Sequence, residues 1–248
     1  VAVQIGAINA LRRLGSDLVA GFLGANQHIL VLKEAVRAIH DDFSIPRALP
    51  RLAEMLDLID LPQDEAVIRR VISANLRLGG AEHGKRLLRF ALDEDRPSSM
   101  RQEAVESLRV WNQRPYLDRV EGRARNLGPR DPNLGDRLIQ DNAMALLSSA
   151  DSKLTATITQ AIRRNGLEVP SEVLENWLRD PEQDSSIRVD ALSLLNKKAP
   201  SKISAAIEVA MSSEIVPLRL AALKIEADSN EGAYFSRHEG INSYSISE

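Results

Sequence analysis

The chain contains no cysteine, which excludes disulfides, thiolate metal sites and cysteine nucleophiles and leaves its redox compartment undetermined. Aromatic residues are scarce, at 4% against 44% hydrophobic residues overall. A core must therefore be built from Leu, Ile, Val and Ala, which suits helix-on-helix stacking better than a sheet sandwich. No run of 18 apolar residues occurs, and no basic stretch followed by an apolar segment opens the chain. Neither a membrane span nor a signal peptide is expected. Charge of neither sign dominates, with 32 Lys and Arg against 35 Asp and Glu. That balance argues against a surface given over to nucleic acid or membrane, though it leaves a local basic patch open.

What the sequence does contain is a repeat. In Val3 to Gly15 (VQIGAINALRRLG), with Val3 as position zero, apolar or small residues follow at plus four, five, seven, eight and eleven, and glycine closes at plus twelve. The template recurs from Val67 to Gly79 and from Leu154 to Gly166, with glycine at the same offset. Looser copies start at Val31, Met100, Ile187 and Leu218, with Ala35, Ala104, Ala191 and Ala222 at plus four. The seven starts are spaced by 28, 36, 33, 54, 33 and 31 residues. Offsets zero, four, seven, eight and eleven share one face of a 3.6-residue helix, and a closing glycine supplies a left-handed C-cap. Each segment is thus predicted to be an amphipathic helix. Intervening helices are expected over Leu18 to Leu23, Ile45 to Leu56, Gly84 to Leu92, Asp136 to Leu147, Ser171 to Leu178 and Lys202 to Met211, several opening at Pro or Ser.

A pair of antiparallel helices cannot bury its apolar face alone, so neighbouring pairs must stack. The pattern resembles the short bacterial kind of HEAT repeat over nearly the whole chain, from Val3 to about Ala227. That resemblance implies an all-α fold, an α-α superhelix or right-handed solenoid of about seven helical hairpins spanning residues 1–227.

The 54-residue interval is long by about twenty residues, and the excess falls at Asn112 to Gly135, with three prolines, three glycines and five arginines. Long ordered loops on repeat arrays often serve recognition. Two readings compete. In one, Arg119, Arg123, Arg125 and Arg130 contact a ligand. In the other the loop is a clip that packs Tyr116, Leu117 and Val120 over a repeat junction, with its arginines paired to Asp118, Glu121 and Asp131. The run WNQRPYLDRVEGRARNLGPRDP resembles an insertion among HEAT repeats in planctomycete-type multi-domain proteins that join a dehydrogenase-like β-propeller to a c-type haem domain. The segment Asp228 to Gly240 resembles the one that leads into the haem attachment site there. This sequence then departs, because Ile241 to Glu248 has neither cysteine nor histidine, so no haem attachment carries over. The resemblance implies a piece of a larger exported or periplasmic protein; the sequence itself specifies no compartment. The opening on a core-type helix without a polar cap points to a piece as well. Residues 228–248 are expected to form an irregular tail.

Positions plus nine and plus ten are repeatedly basic: Arg12 and Arg13, Arg77, Arg109, Arg163 and Arg164, and Lys197. Stacked repeats would align them as a concave ridge suited to an acidic partner or a phosphate backbone. Cations near a helix C-terminus are also favoured by the dipole alone. A second ladder at plus one, Arg101, Arg188 and Arg219, reads as structural, with Asp184 placed toward Arg188. The histidines His28, His40, His83 and His238 fall in four segments without a partner at plus three or plus four, so no metal ligation is expected. There are no convincing strands and no phosphate loop. The acidic clusters Asp41 with Asp42 and Asp93 to Asp95 read as solvated caps, and Trp111 and Trp177 as core.

The expectation is therefore a non-catalytic interaction scaffold or inter-domain spacer without cofactor, engaging a protein partner or neighbouring domains. The alternative is a nucleic-acid-binding protein resembling the HEAT-like DNA glycosylases and using the basic ridge.

Overall fold

The computed structural model describes residues 1–24, 26–148, 152–165 and 169–239, and the side chains of 1–24, 26–148, 154–162 and 169–229. Helices dominate them, and the chain divides into two compact units, Val1–Leu167 and Glu168–Glu248. The first unit comprises α1 (Ala2–Arg13), α2 (Ile29–Asp41), α3 (Leu49–Glu54), α4 (Glu65–Leu78), α5 (Ala81–Leu92), α6 (Ser98–Arg109), β1 (Tyr116–Leu117), β2 (Ala124–Arg125), α7 (Leu134–Asp141), α8 (Ala143–Leu147) and α9 (Ser152–Asn165). The second comprises α10 (Ser171–Arg179), α11 (Ser185–Lys198), α12 (Ile203–Met211) and α13 (Val216–Glu239).

All seven template segments are helices: α1, α2, α4, α6, α9, α11 and α13. In the first unit α1 packs against α2, α2 against α4, α4 against α6 and α6 against α9, while α3 lies on α4, α5 on α6 and α8 on α9. In the second unit α10 lies on α11, and α13 packs against both α11 and α12. The template face is the core face. Val31, Leu32, Val36 and Ile39 of α2 are at most 1% exposed, and burying each is worth about 1.5–3 kcal/mol. Gly15 and Gly79 have φ of +62° and +70°, closing α1 and α4 in the left-handed conformation that a glycine adopts without strain. Gly166 lies outside the described residues.

Several intervening elements are shorter than the periodicity predicts. The span Leu18 to Leu23 is a 3₁₀ turn, Asp17–Phe22, begun by the Ser16 hydroxyl. The span Ile45 to Leu56 is α3 between two 3₁₀ turns, and Asp136 to Leu147 breaks at Asn142 between α7 and α8. Asn142 turns its amide back onto the Leu138 carbonyl, 2.9 Å away, a local bond that competes with helix continuation. The expected irregular tail is corrected in its first part, since α13 runs to Glu239. The segment 228–239 contains no proline, the residue that most strongly breaks a helix interior; residues 240–248 lie outside the described residues. Two short strands also occur where none was expected, pairing Tyr116 with Arg125 and Leu117 with Ala124. A two-residue ladder is too short to leave a period in the sequence.

Two of the plus-one arginines close helix ends, while Arg219 donates to the Ser213 carbonyl in the turn before α13 at 2.7 Å. Arg101 Nε donates to the Ala91 carbonyl at 2.8 Å and Arg188 Nε to the Leu178 carbonyl at 3.0 Å. Each buried guanidinium thus satisfies a last-turn carbonyl of the preceding helix. Asp184 does not reach Arg188 but caps α11 through the Ser186 amide at 2.8 Å. Replacing Arg101 with Met should lower the urea-unfolding free energy by about 2 kcal/mol, because the Ala91 carbonyl loses a charged donor.

Candidate functional site

The long insertion between α6 and α7 folds back over the first unit instead of projecting from it. Its turn is built by Asp118, whose carboxylate accepts the Val120 and Glu121 amides at 2.8 and 3.3 Å. The Asp118 amide donates to the Arg123 carbonyl at 2.8 Å. Further on, the Gly128 amide donates to the Arg77 carbonyl at 2.8 Å. A Cβ on Gly128 would sit 2.6 Å from the Leu78 carbonyl oxygen, so the close approach requires glycine.

Beneath the turn lies a cluster that sequence spacing did not reveal. His40 and Asp118 have fully buried side chains. His40 Nδ1 is 2.8 Å from Asp41 Oδ1 and 3.4 Å from Glu121 Oε1, while Nε2 is 3.4 Å from Asp118 Oδ2, outside hydrogen-bond geometry. The Ser73 hydroxyl donates to the same Asp118 oxygen at 2.6 Å. Arg70 donates to both Asp41 oxygens at 3.0 and 3.1 Å, Arg77 to the His40 carbonyl at 2.7 Å, and Arg125 to Glu121 and the Asp41 carbonyl. Asp41 thus pairs with Arg70 and Glu121 with Arg125, while Arg77 ends on a backbone carbonyl and Asp118 is held by Ser73 and the turn amides beside His40.

Burial raises the Asp41 carboxyl, but hydrogen bonds from His40 and Arg70 outweigh it and hold it at about 2. Burial likewise opposes ionisation of Asp118, and contacts with His40, Ser73 and the Val120 amide overcome it, leaving the carboxyl well below its ordinary range. Burial and the Asp118 charge push the Tyr116 phenol up to about 12.

His40, Asp41 and Glu121 bring possible metal-ligand atoms within 4.8 Å of one another. The oxygens concerned already accept from Arg70 and Arg125, however. A divalent ion would have to expel a guanidinium and face the remaining cations, so the geometry is that of an ion-paired anchor. The Ser73 hydroxyl within the cluster is buried and donates to the Asp118 carboxylate.

No family model, curated protein or solved structure matches this chain.

The predicted loop contacts separate into distinct roles. Arg130 is a structural tie, donating to the Leu76, Arg77, Trp111 and Gly128 carbonyls at 2.7, 3.2, 2.8 and 3.0 Å and stacking on the Trp111 ring. Arg119 reaches Glu103 at 2.7 and 3.1 Å and Glu106 at 3.3 Å on α6, not the acids of its own loop. Arg125 pairs with Glu121 as expected, whereas Asp131 pairs with Arg137 and Asp118 with His40 and Ser73. Arg123 is exposed and has no partner among the described residues. Of the packing residues, Tyr116 is buried, Val120 partly so, and Leu117 is 61% exposed, which corrects its expected place against a repeat junction.

Of the expected basic ridge, three of the five described cations are engaged within the fold. Arg12 bonds Asp42 at 2.9 Å, Arg77 bonds the His40 carbonyl, and Arg109 is held by Glu106. Arg13 and Lys197 are exposed, the latter in the second unit, and the side chains of Arg163 and Arg164 lie outside the described residues. His28 caps α2 through the Leu30 amide at 3.2 Å and His83 meets Asn75 at 3.0 Å, both local roles. The His238 side chain lies outside the described ones. Asp41, expected as a solvated cap, is instead part of the buried cluster, while Asp42 and Asp93 do cap turns at Ser44 and Asp95. Trp111 is 1% exposed with its indole N–H on the Asp131 carbonyl, a core residue as read.

Asp41 and Asp42 both ionise at about 2 in the folded chain, below the ordinary unfolded value of about 3.9. The unfolded state therefore binds more protons, and stability present above about pH 4 is lost as pH falls toward about 2. Urea midpoints measured across that range should fall steeply, and Asp118→Asn should flatten the dependence. Replacing Arg130 with Met should cost about 2–3 kcal/mol in the same assay, since four carbonyls lose a charged donor.

Proposed function

We propose that the chain is a non-catalytic, HEAT-like helical array serving as an interaction scaffold or inter-domain spacer, with the docked loop of residues 112–135 as its recognition element. The observation that carries this reading is the relay of template helices, α1 on α2, α2 on α4, α4 on α6 and α6 on α9, with one ordered insertion clamped across it. Stacked helical pairs of this kind form a solenoid with an extended binding surface. The clamp holds the loop backbone while leaving Arg114, Leu117 and Arg123 exposed. A contact surface ordered in advance lowers the entropy lost on binding. The resemblance to multi-domain dehydrogenase proteins makes the flanking domains of such a chain the first partners to test.

The nucleic-acid alternative draws less support, because Arg12, Arg77 and Arg109 already have acceptors within the fold. Phosphate-backbone binding needs cations available to release counterions.

The scaffold reading is tested by placing a photo-crosslinking residue at position 123 and, as control, at exposed position 94, in cells producing the full-length protein. Adducts to one protein or to a segment outside residues 1–248, formed from position 123 alone, are expected. Equal adducts from both positions, or retention of duplex DNA with a steep salt dependence, would overturn the reading.

A further inference from the structure

The outer side of the docked hairpin carries an open pocket of about 580 Å³, whose wall includes Phe43, Arg114, Tyr116, Arg125 and Asn126 and no acidic residue. That volume suits a small ligand. Three features of this pocket share a sign and a purpose that the anchor does not use.

First, Arg125 is buried, yet only its Nη2 has acceptors, Glu121 and the Asp41 carbonyl. Its Nε and Nη1 have no acceptor among the described residues. A buried donor without a partner is costly and calls for an acceptor from outside. Second, Arg114 is exposed at the same pocket and forms no ion pair or hydrogen bond among the described residues. Third, the unpaired Arg114 charge adds to the positive side of a neighbourhood in which Glu121 already serves Arg125. Burial and then the Arg114 charge lower Arg130 to about 10, and burial and then Arg125 lower Arg77. An anion placed here relieves that repulsion, whereas a cation would add to it.

Phe43 completes the arrangement. Its ring lies 3.8 Å from the Arg125 guanidinium carbon while the residue is 63% exposed. Stacking on one face keeps the in-plane N–H groups of the guanidinium free for acceptors. An exposed ring also has room to swing and admit a ligand to them.

We infer that the pocket between Phe43 and the hairpin binds an oxyanion, a carboxylate or phosphate group, received by the Arg125 Nε and Nη1 donors and by Arg114, with Asn126 as a neutral donor. No covalent step is involved. Such a site is compatible with a scaffold role and does not depend on it, since a free small anion and an acidic group on a partner offer the same chemistry.

The test uses the full chain labelled with ¹⁵N, following the Arg125 side-chain Nε–H and the Asn126 amide while inorganic phosphate or succinate is added at constant ionic strength. Saturable shifts of both signals are expected, with phosphate alone assigning a phosphate ligand and succinate alone a carboxylate. Arg114→Ala, at an exposed position, should leave the rest of the spectrum unchanged and weaken binding about tenfold. Shifts that are linear in added anion, that sodium chloride reproduces, or that Arg114→Ala leaves unaltered overturn the inference. An unmoved Arg125 signal with both anions does so as well.

Discussion

Asp118 is a fully buried carboxylate at the turn of a loop, and a charge taken out of water is sustained only by partners that replace its hydration. Here His40 comes from α2, Ser73 from α4 and the Val120 and Glu121 amides from the turn itself. Glu121 repeats the arrangement with Arg125, and Asp41 with Arg70. Three positions far apart in the chain are thereby held to one geometry. Removing one member of such a set costs about 3–5 kcal/mol, because the others stay buried without their counter-charge.

From that constraint the rest of the insertion follows. With the hairpin fixed above α2 and α4, the chain passes Gly128 close to the end of α4, where Arg130 takes up the Leu76 and Arg77 carbonyls. A helix C-terminus leaves such carbonyls without intrahelical donors. The insertion thus repairs a helix end while it covers the junction. Arg119 adds a tie to α6 through Glu103, which Arg69 of α4 also holds at 3.0 Å. What remains outward is a short rim, Arg114, Leu117 and Arg123, and the pocket beside Phe43. A rim carried on a fixed backbone recognises by shape and charge without ordering itself first.

Much of the helical framework was legible in the sequence. The plus-zero to plus-eleven template marks seven of the helices, α1, α2, α4, α6, α9, α11 and α13, since an apolar face at a 3.6-residue period has few other causes. The glycines at plus twelve marked the ends of α1 and α4 for the same conformational reason. The intervening elements were legible only in outline, because Asn142 and the turns around α3 act through local hydrogen bonds that leave no period. Least legible was the anchor. His40 and Asp118 are separated by more than two repeats, and a lone histidine on a helix gives no sign of the acids that a later loop will bring to it. One signal was available: a loop with Asp118, Glu121 and five arginines has charge enough to pair with something beyond itself. The cations expected at plus nine and plus ten were correctly located on helix ends, but spacing cannot tell a free guanidinium from one such as Arg77, spent on a backbone carbonyl.

The central claim is that the hairpin is docked as firmly as the helices beneath it. Native-state hydrogen exchange of the Asp118 and Gly128 amides, which donate to the Arg123 and Arg77 carbonyls, tests it most directly. Both should exchange with the same opening free energy as the buried amides of α4, in one cooperative unit. Exchange at the rate of an unprotected loop while α4 remains protected would contradict the account.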